Sequence, residues 1–197
     1  MTSMAAAALW TEVRDAYWYD HKGREATLAF QDEFRCWAAT DIRAWFEVVR
    51  WKSPRSAGRT IAHITGSGIR PNELLDLCET YVQRPTLGNF QEFRRCIAKT
   101  DVVATAATFP AFLRPDLFPM VDTQTGLWAS QNRWARIAGV SKIGKGVLYE
   151  RHWEYVKSWT QWCNNTALLL GSDWTPRDVE MAVFTAQRSG QKLPRLK

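Results

Sequence analysis

Cysteine is scarce in this chain, and its four cysteines, Cys36, Cys78, Cys96 and Cys163, stand far apart with no C-x-x-C pair. That spacing excludes a zinc ribbon, an iron–sulfur cluster and a disulfide framework, and it fits reduced thiols in the cytoplasm. The three histidines, His21, His63 and His152, form no metal-ligand spacing, so neither metal nor cofactor is expected. Long apolar runs are missing too: Ala167–Leu170 with its flanks falls far short of a membrane span. The opening segment, Met1–Leu9, lacks a basic n-region and does not read as a signal peptide. Strand-type alternation is nearly absent, as are internal repeats and low-complexity segments. Two basic windows between acids hold none themselves: between Glu47 and Glu73 lie Arg50, Lys52, Arg55, Arg59 and Arg70, and between Asp122 and Glu150 lie Arg133, Arg136, Lys142 and Lys145.

What the chain does have is tryptophan, 11 among 197 residues, and a net charge of +6. Most of the indoles must be core, because large aromatics dominate burial energetics. The charge is uneven. Residues 1–132 carry 15 Lys+Arg against 15 Asp+Glu, whereas residues 133–197 carry 11 against 5. Acid-free basic windows suit a polyanion backbone, since each phosphate neutralised releases counterions. A solvated basic face explains the same residues equally well.

Helical periodicity dominates. Ile42, Trp45, Phe46 and Val49 form one apolar stripe behind a cap at Thr40, and Leu28, Phe30, Phe34, Trp37 and Ala38 predict a preceding helix from about Glu25. Pro71 opens a helix through Leu74, Leu75, Cys78 and Val82 that stops near Arg84-Pro85. Val102 to Leu113 reads as a strongly apolar helix capped at Thr100 or Asp101, with Pro110 kinking or shortening it. Tyr149, Trp153, Val156, Trp159 and Cys163 mark a long aromatic helix. Thr175-Pro176-Arg177-Asp178 then starts a last helix with Val179, Ala182, Val183 and Ala186 as its buried stripe. The fold class expected is all-α.

Phe118-Pro119-Met120-Val121-Asp122-Thr123 delivers one carboxylate to a helix start, where it can serve as a plain cap or as a positioned catalytic group. With Ile97 to Leu113 read as a hairpin and an apolar helix, the order and spacing over about residues 40–138 resemble the catalytic core of the helix-hairpin-helix DNA glycosylase superfamily. The resemblance implies a two-lobed helical bundle, with residues 40–138 as the hairpin and catalytic lobe and residues 1–39 and 139–197 packing together in a single compact unit. It also implies base excision driven by Asp122, which would stabilise an oxocarbenium-like sugar and orient water. A flipped-out base needs an aromatic-lined cleft beside that carboxylate.

Ile97-Ala98-Lys99-Thr100-Asp101-Val102-Val103-Ala104 resembles the family's L-P-G-V-G-x-K-x-A hairpin, but its glycines are missing and Asp101 repels a phosphate. In bifunctional members a lysine nucleophile follows the hairpin; here that slot falls on Val102 or Val103, so the resemblance implies a monofunctional enzyme using water. Lys99 is a displaced, secondary candidate. Phe46-Glu47-Val48-Val49-Arg50-Trp51-Lys52-Ser53-Pro54-Arg55 resembles the helix and loop that place a wedge near the lesion in the family, with Trp51 as the wedge, and its Trp-Lys-Ser-Pro-Arg run is similar to that of bacterial proteins with an oxoguanine-glycosylase-like fold; burial of Trp51 at a helix end is the alternative. Trp128 and Trp134 are the other indoles near Asp122. The expected DNA contacts are Arg50, Lys52, Arg55, Lys99, Thr100, Arg133, Arg136, Lys142 and Lys145. The expected partner is double-stranded DNA with a flipped modified base, bound by a monomer with no membrane attachment. The substrate is an oxidised purine or a bulky, sugar-decorated base of the phage type, which would make the role repair or antiviral defence. A catalytically silent DNA- or partner-binding module is the rival reading.

Overall fold

Several helix starts in this chain are set by short polar side chains. Asp41 accepts from the Arg43 backbone N–H at 2.9 Å, Thr86 from that of Asn89 at 3.2 Å, and Asp122 from that of Gln124 at 2.7 Å. Thr175 and Asp178 cap each other reciprocally, with Pro176 at the first helical position. The expected cap at Thr40 is therefore one residue early, because the Asp41 carboxylate takes that role. The computed structural model describes residues 3–19, 22–98, 103–140 and 150–196. The expectations for Lys99, Thr100, Lys142 and Lys145 lie outside the described residues.

Among the described residues the chain is mostly helical, as an all-α class requires. The order is α1 (Ser3–Asp15), β1 (Trp18–Tyr19), β2 (Lys22–Gly23), α2 (Arg24–Trp37), α3 (Ile42–Lys52), α4 (Ala57–Ser67), α5 (Pro71–Gln83), α6 (Leu87–Ile97), α7 (Thr108–Leu113), α8 (Thr123–Gln131), α9 (Trp153–Leu170) and α10 (Pro176–Ser189). β1 and β2 form a small antiparallel ladder with Trp18 opposite Gly23 and Tyr19 opposite Lys22. The helix expected from Val102 to Leu113 is much shorter. Residues 104–107 form turns, and α7 begins only at Thr108, which puts Pro110 in the first helical turn where its missing N–H costs nothing.

α10 is the central helix. Every residue from Pro176 to Ala186 is buried, not only the expected stripe. It accommodates charge by pairing: Arg177 bonds Glu180 and the Tyr17 hydroxyl, and Arg24 reaches Asp178. α1, α8 and α9 pack around it. α2 instead lies on α7 and α3, where Phe34, Trp45, Phe93 and Phe109 interlock at ring-centroid spacings of 4.8–6.2 Å. One hydrophobic cluster joins both regions, from Trp10 to Leu193. Two buried indoles find carbonyl acceptors here, Trp45 at Ala38 (2.8 Å) and Trp159 at Met120 (2.9 Å). The latter bond fixes the strand-like approach to Asp122 against α9.

Candidate active site at the start of α8

Two elements meet at Asp122. One is α8, whose first turn the carboxylate caps. The other is the last residue of α3: Lys52 donates from Nζ to Asp122 Oδ2 at 2.8 Å, across 70 residues of sequence. Asp122 thus splits its two oxygens, Oδ1 on the helix start and Oδ2 on the ammonium. The Lys52 side chain is only 3% exposed and that of Asp122 16%, so solvent touches the carboxylate and hardly reaches the amine.

Burial opposes both charges, pushing the carboxyl up and the ammonium down. Their mutual attraction outweighs it. Asp122 sits below the usual carboxylate range, helped by the Lys52 ammonium, the Gln124 N–H and more distantly Arg188, and Lys52 sits above the usual ammonium range. The resting site is therefore an ionised pair.

Tyr19 closes one side. Its hydroxyl donates to the Lys52 carbonyl at 3.2 Å, its ring centroid lies 5.6 Å from Lys52 Nζ, and it packs on Trp51 at 4.6 Å and on Phe184 at 5.4 Å. Ser53 and Thr105 share a hydrogen bond at 2.8 Å, tying the end of α3 to the turn before α7. Thr125 completes the cap from the other direction, accepting from the Asp122 N–H at 3.3 Å.

The residues expected at the site are dispersed in character. Asp122 is where the cap reading puts it, and the cap and a positioned carboxylate coexist. Lys52, expected as a surface phosphate contact, is instead buried and committed to Asp122. Trp51, expected as a wedge, is 4% exposed among Phe30, Phe112 and Tyr19, so it is core. Trp128 is buried as well, against Trp134 and Trp162. Trp134 is half-buried and helps line a cavity of about 130 Å³ with Trp10, Trp162 and Arg195; a cavity of about 300 Å³ opens between α2 and α3 beside Trp37 and Glu33. Asp122 lines neither, so these are not the cleft expected beside it. Arg50 is exposed but paired with Glu47, Arg55 is exposed, and Arg133 and Arg136 stand exposed in the turn after α8, where Arg136 adopts a left-handed backbone with φ 52°.

Lys52 as a partner of Asp122, Tyr19 and Arg188 escaped the sequence reading. A signal for Lys52 existed: Trp45, Val49 and Lys52 are spaced i, i+4, i+7, so the lysine falls on the buried stripe of α3 and needs an anion there. No protein-family model, curated protein or solved structure matches the chain.

Proposed function

We propose that the chain is a monofunctional DNA glycosylase whose reacting carboxylate is Asp122. The observation that carries this reading is the buried Lys52–Asp122 pair. Removed from water, a lone carboxylate would take up a proton; the ammonium keeps it charged. A fixed, ionised carboxylate is what a sugar developing positive charge at C1′ requires. In the reaction the C1′–N bond breaks, water oxygen bonds to C1′, and the proton that water gives up balances the departing base. The resemblance of residues 40–138 to the glycosylase core supplies the substrate class, an oxidised purine or a bulky modified base in double-stranded DNA. The protein would act as a monomer in the cytoplasm, without metal or cofactor.

Lys52 holds the carboxylate and does not attack the sugar, because its ammonium is favoured by Asp122 and an amine must lose that proton to become a nucleophile. The test is a panel of duplexes carrying oxidised, alkylated, deaminated and glucosylated bases, scored for abasic sites with wild type and Asp122→Asn, with borohydride added in parallel. Base release that Asp122→Asn abolishes, with no borohydride-trapped adduct, supports the reading. An active Asp122→Asn protein overturns it, and a trapped adduct on Lys52 overturns the water mechanism.

A second reading has its own observation. The same ion pair ties the end of α3 to the start of α8 whether or not chemistry occurs, and the hairpin glycines are missing. Release of no base from any duplex, with DNA binding retained, selects the silent binding module.

A further inference from the structure

The Lys52–Asp122 pair is neutral as a unit, and its ammonium is committed to the carboxylate. A nucleotide whose C1′ approaches Asp122 brings a phosphate on each side of its sugar, and the carboxylate repels both. The attraction that seats a polyanion here has to come from a cation outside the pair.

Arg188, in the last turn of α10, is placed to supply it. Its guanidinium is exposed and lies 5.6 Å from the Phe184 ring; Phe184 packs on Tyr19 at 5.4 Å, and the Tyr19 ring stands 5.6 Å from Lys52 Nζ. One pair of stacked rings therefore separates the exposed guanidinium from the buried ammonium. α10 also packs on α8, whose first turn Asp122 caps, and the Arg188 charge reaches the Asp122 carboxyl and helps to keep it ionised. The acids of α10 are matched elsewhere, Asp178 by Arg24 and Glu180 by Arg177, and no ion pair joins Arg188 to a carboxylate among the described residues. The guanidinium and the Asp122 carboxylate thus belong to one electrostatic site. One carries the charge a phosphate needs, the other the charge an electron-poor sugar needs.

We propose that Arg188 is the phosphate-binding residue of the Asp122 site, taking a phosphodiester that flanks the sugar presented to the carboxylate. It rests on the glycosylase reading, which makes that sugar a deoxyribose losing its base. A guanidinium grips phosphate oxygens in a forked, charge-assisted geometry, whereas an ammonium acts only as a point charge. Once paired with phosphate, Arg188 no longer opposes the positive charge that develops at C1′. A role confined to the C-terminal end of the α10 dipole has a different signature: lower stability with no change in DNA binding.

The experiment measures fluorescence anisotropy for wild type, Arg188→Gln and Arg188→Lys, with Arg95→Gln on α6 as the control for losing an exposed charge. One probe is a labelled duplex in which a tetrahydrofuran residue, a sugar without a base, replaces one nucleoside. The other is the same duplex with neutral methylphosphonates on both sides of that residue. Thermal melts check the fold of each variant. On the charged duplex Arg188→Gln should lower the magnitude of the log K versus log salt slope by about 0.9, and Arg188→Lys should keep most of it. Methylphosphonates should weaken binding by wild type and Arg95→Gln several-fold and leave Arg188→Gln nearly unchanged, since the contact they remove is already gone. Losses that simply add, or an Arg188→Gln protein that binds as wild type does, overturn the proposal even where bases are excised. A wild type that binds neither duplex overturns it together with the glycosylase reading. Coupling between Arg188 and the methylphosphonates in a protein that releases no base from any duplex upholds the phosphate contact and removes the glycosylase reading.

Discussion

Tyr155 on α9 and Thr125 on α8 share a hydrogen bond at 2.9 Å, with both side chains buried. The Thr125 hydroxyl spends its one proton on the Asp122 carbonyl at 2.8 Å, which leaves Tyr155 as the donor to Thr125. The first turn of α8 is thereby held from outside as well as by its own cap. Tyr155→Phe should cost about 1 kcal/mol of stability, the usual net worth of such a bond. Urea denaturation at neutral pH measures it. A loss near zero would mean that the α8 cap needs no support from α9.

Removing one partner of the Lys52–Asp122 pair strands the other charge in the interior. Lys52→Met and Asp122→Asn should each destabilise the fold by about 3–5 kcal/mol at neutral pH. The double variant Lys52→Met/Asp122→Asn should lose clearly less than the sum, because no lone ion remains. Chemical denaturation of all four proteins gives the coupling; additive losses would show that the two side chains do not depend on each other.

Stability should be level through neutral pH and fall at both ends. Asp122 is held below its ordinary range, so its contribution is present above about pH 4 and disappears as acid protonates the folded carboxylate. Lys52 is held above its ordinary range, and its contribution disappears only at high pH, as the folded ammonium deprotonates. Burial also pushes up the thiols of Cys78 and Cys163 and the hydroxyl of Tyr155. The unfolded chain therefore ionises first, and stability begins to decline above about pH 8.5. Thermal midpoints across pH should show both limbs, with the acid limb shallower in Asp122→Asn.

Gly139 has φ +73°, and a Cβ there would stand 2.6 Å from the Tyr155 backbone nitrogen. Backbone cannot swing aside as a side chain can. Gly139→Ala should destabilise by about 1–3 kcal/mol through backbone strain alone, with the steric clash adding to it. Gly66→Ala, in open space within α4, is the control and should be neutral or stabilising.

DNA affinity should fall steeply with salt if the basic windows meet phosphate. Charge reversal of Arg55, Arg133 or Arg136 should lower the magnitude of the log K versus log salt slope by about 0.9 for each true contact. Lys52 substitution should not act this way, since its ammonium faces Asp122. Unchanged affinity after reversal across both windows would remove the polyanion reading.

Much of the helical order was legible because caps and stripes are local. Pro71, Arg84-Pro85 and Thr175-Pro176-Arg177-Asp178 mark boundaries that the structure keeps. Asp122 was legible for the same reason. Its partner was legible only in part: the spacing from Trp45 and Val49 puts Lys52 on the buried stripe of α3, but a pair spanning 70 residues does not say which anion meets it, and Lys52 sits in a basic run that looks like surface. Trp51 misled likewise, since its neighbours Arg50 and Arg55 are exposed while the indole turns inward. α10 hid its centrality behind Arg177, Asp178 and Glu180, charges that look solvated until their partners, Arg24 among them, are known. The apolar run before Leu113 has enough apolar residues for a long helix, but its burial comes from neighbours on several sides, which turns satisfy as well as a helix does.

The central position of α10 also bears on how the protein is made. Ribosomal synthesis delivers α1 well before α10, yet these two helices pack against each other. Until residues 176–186 emerge, the indoles and aliphatic faces meant for them have nothing to cover them, and the nascent chain carries that surface until then. Folding of this region must then wait for α10, with contacts distant in sequence closing last. A stop codon just before Pro176 should yield an insoluble or rapidly degraded product, although every residue of the Lys52–Asp122 pair would be present.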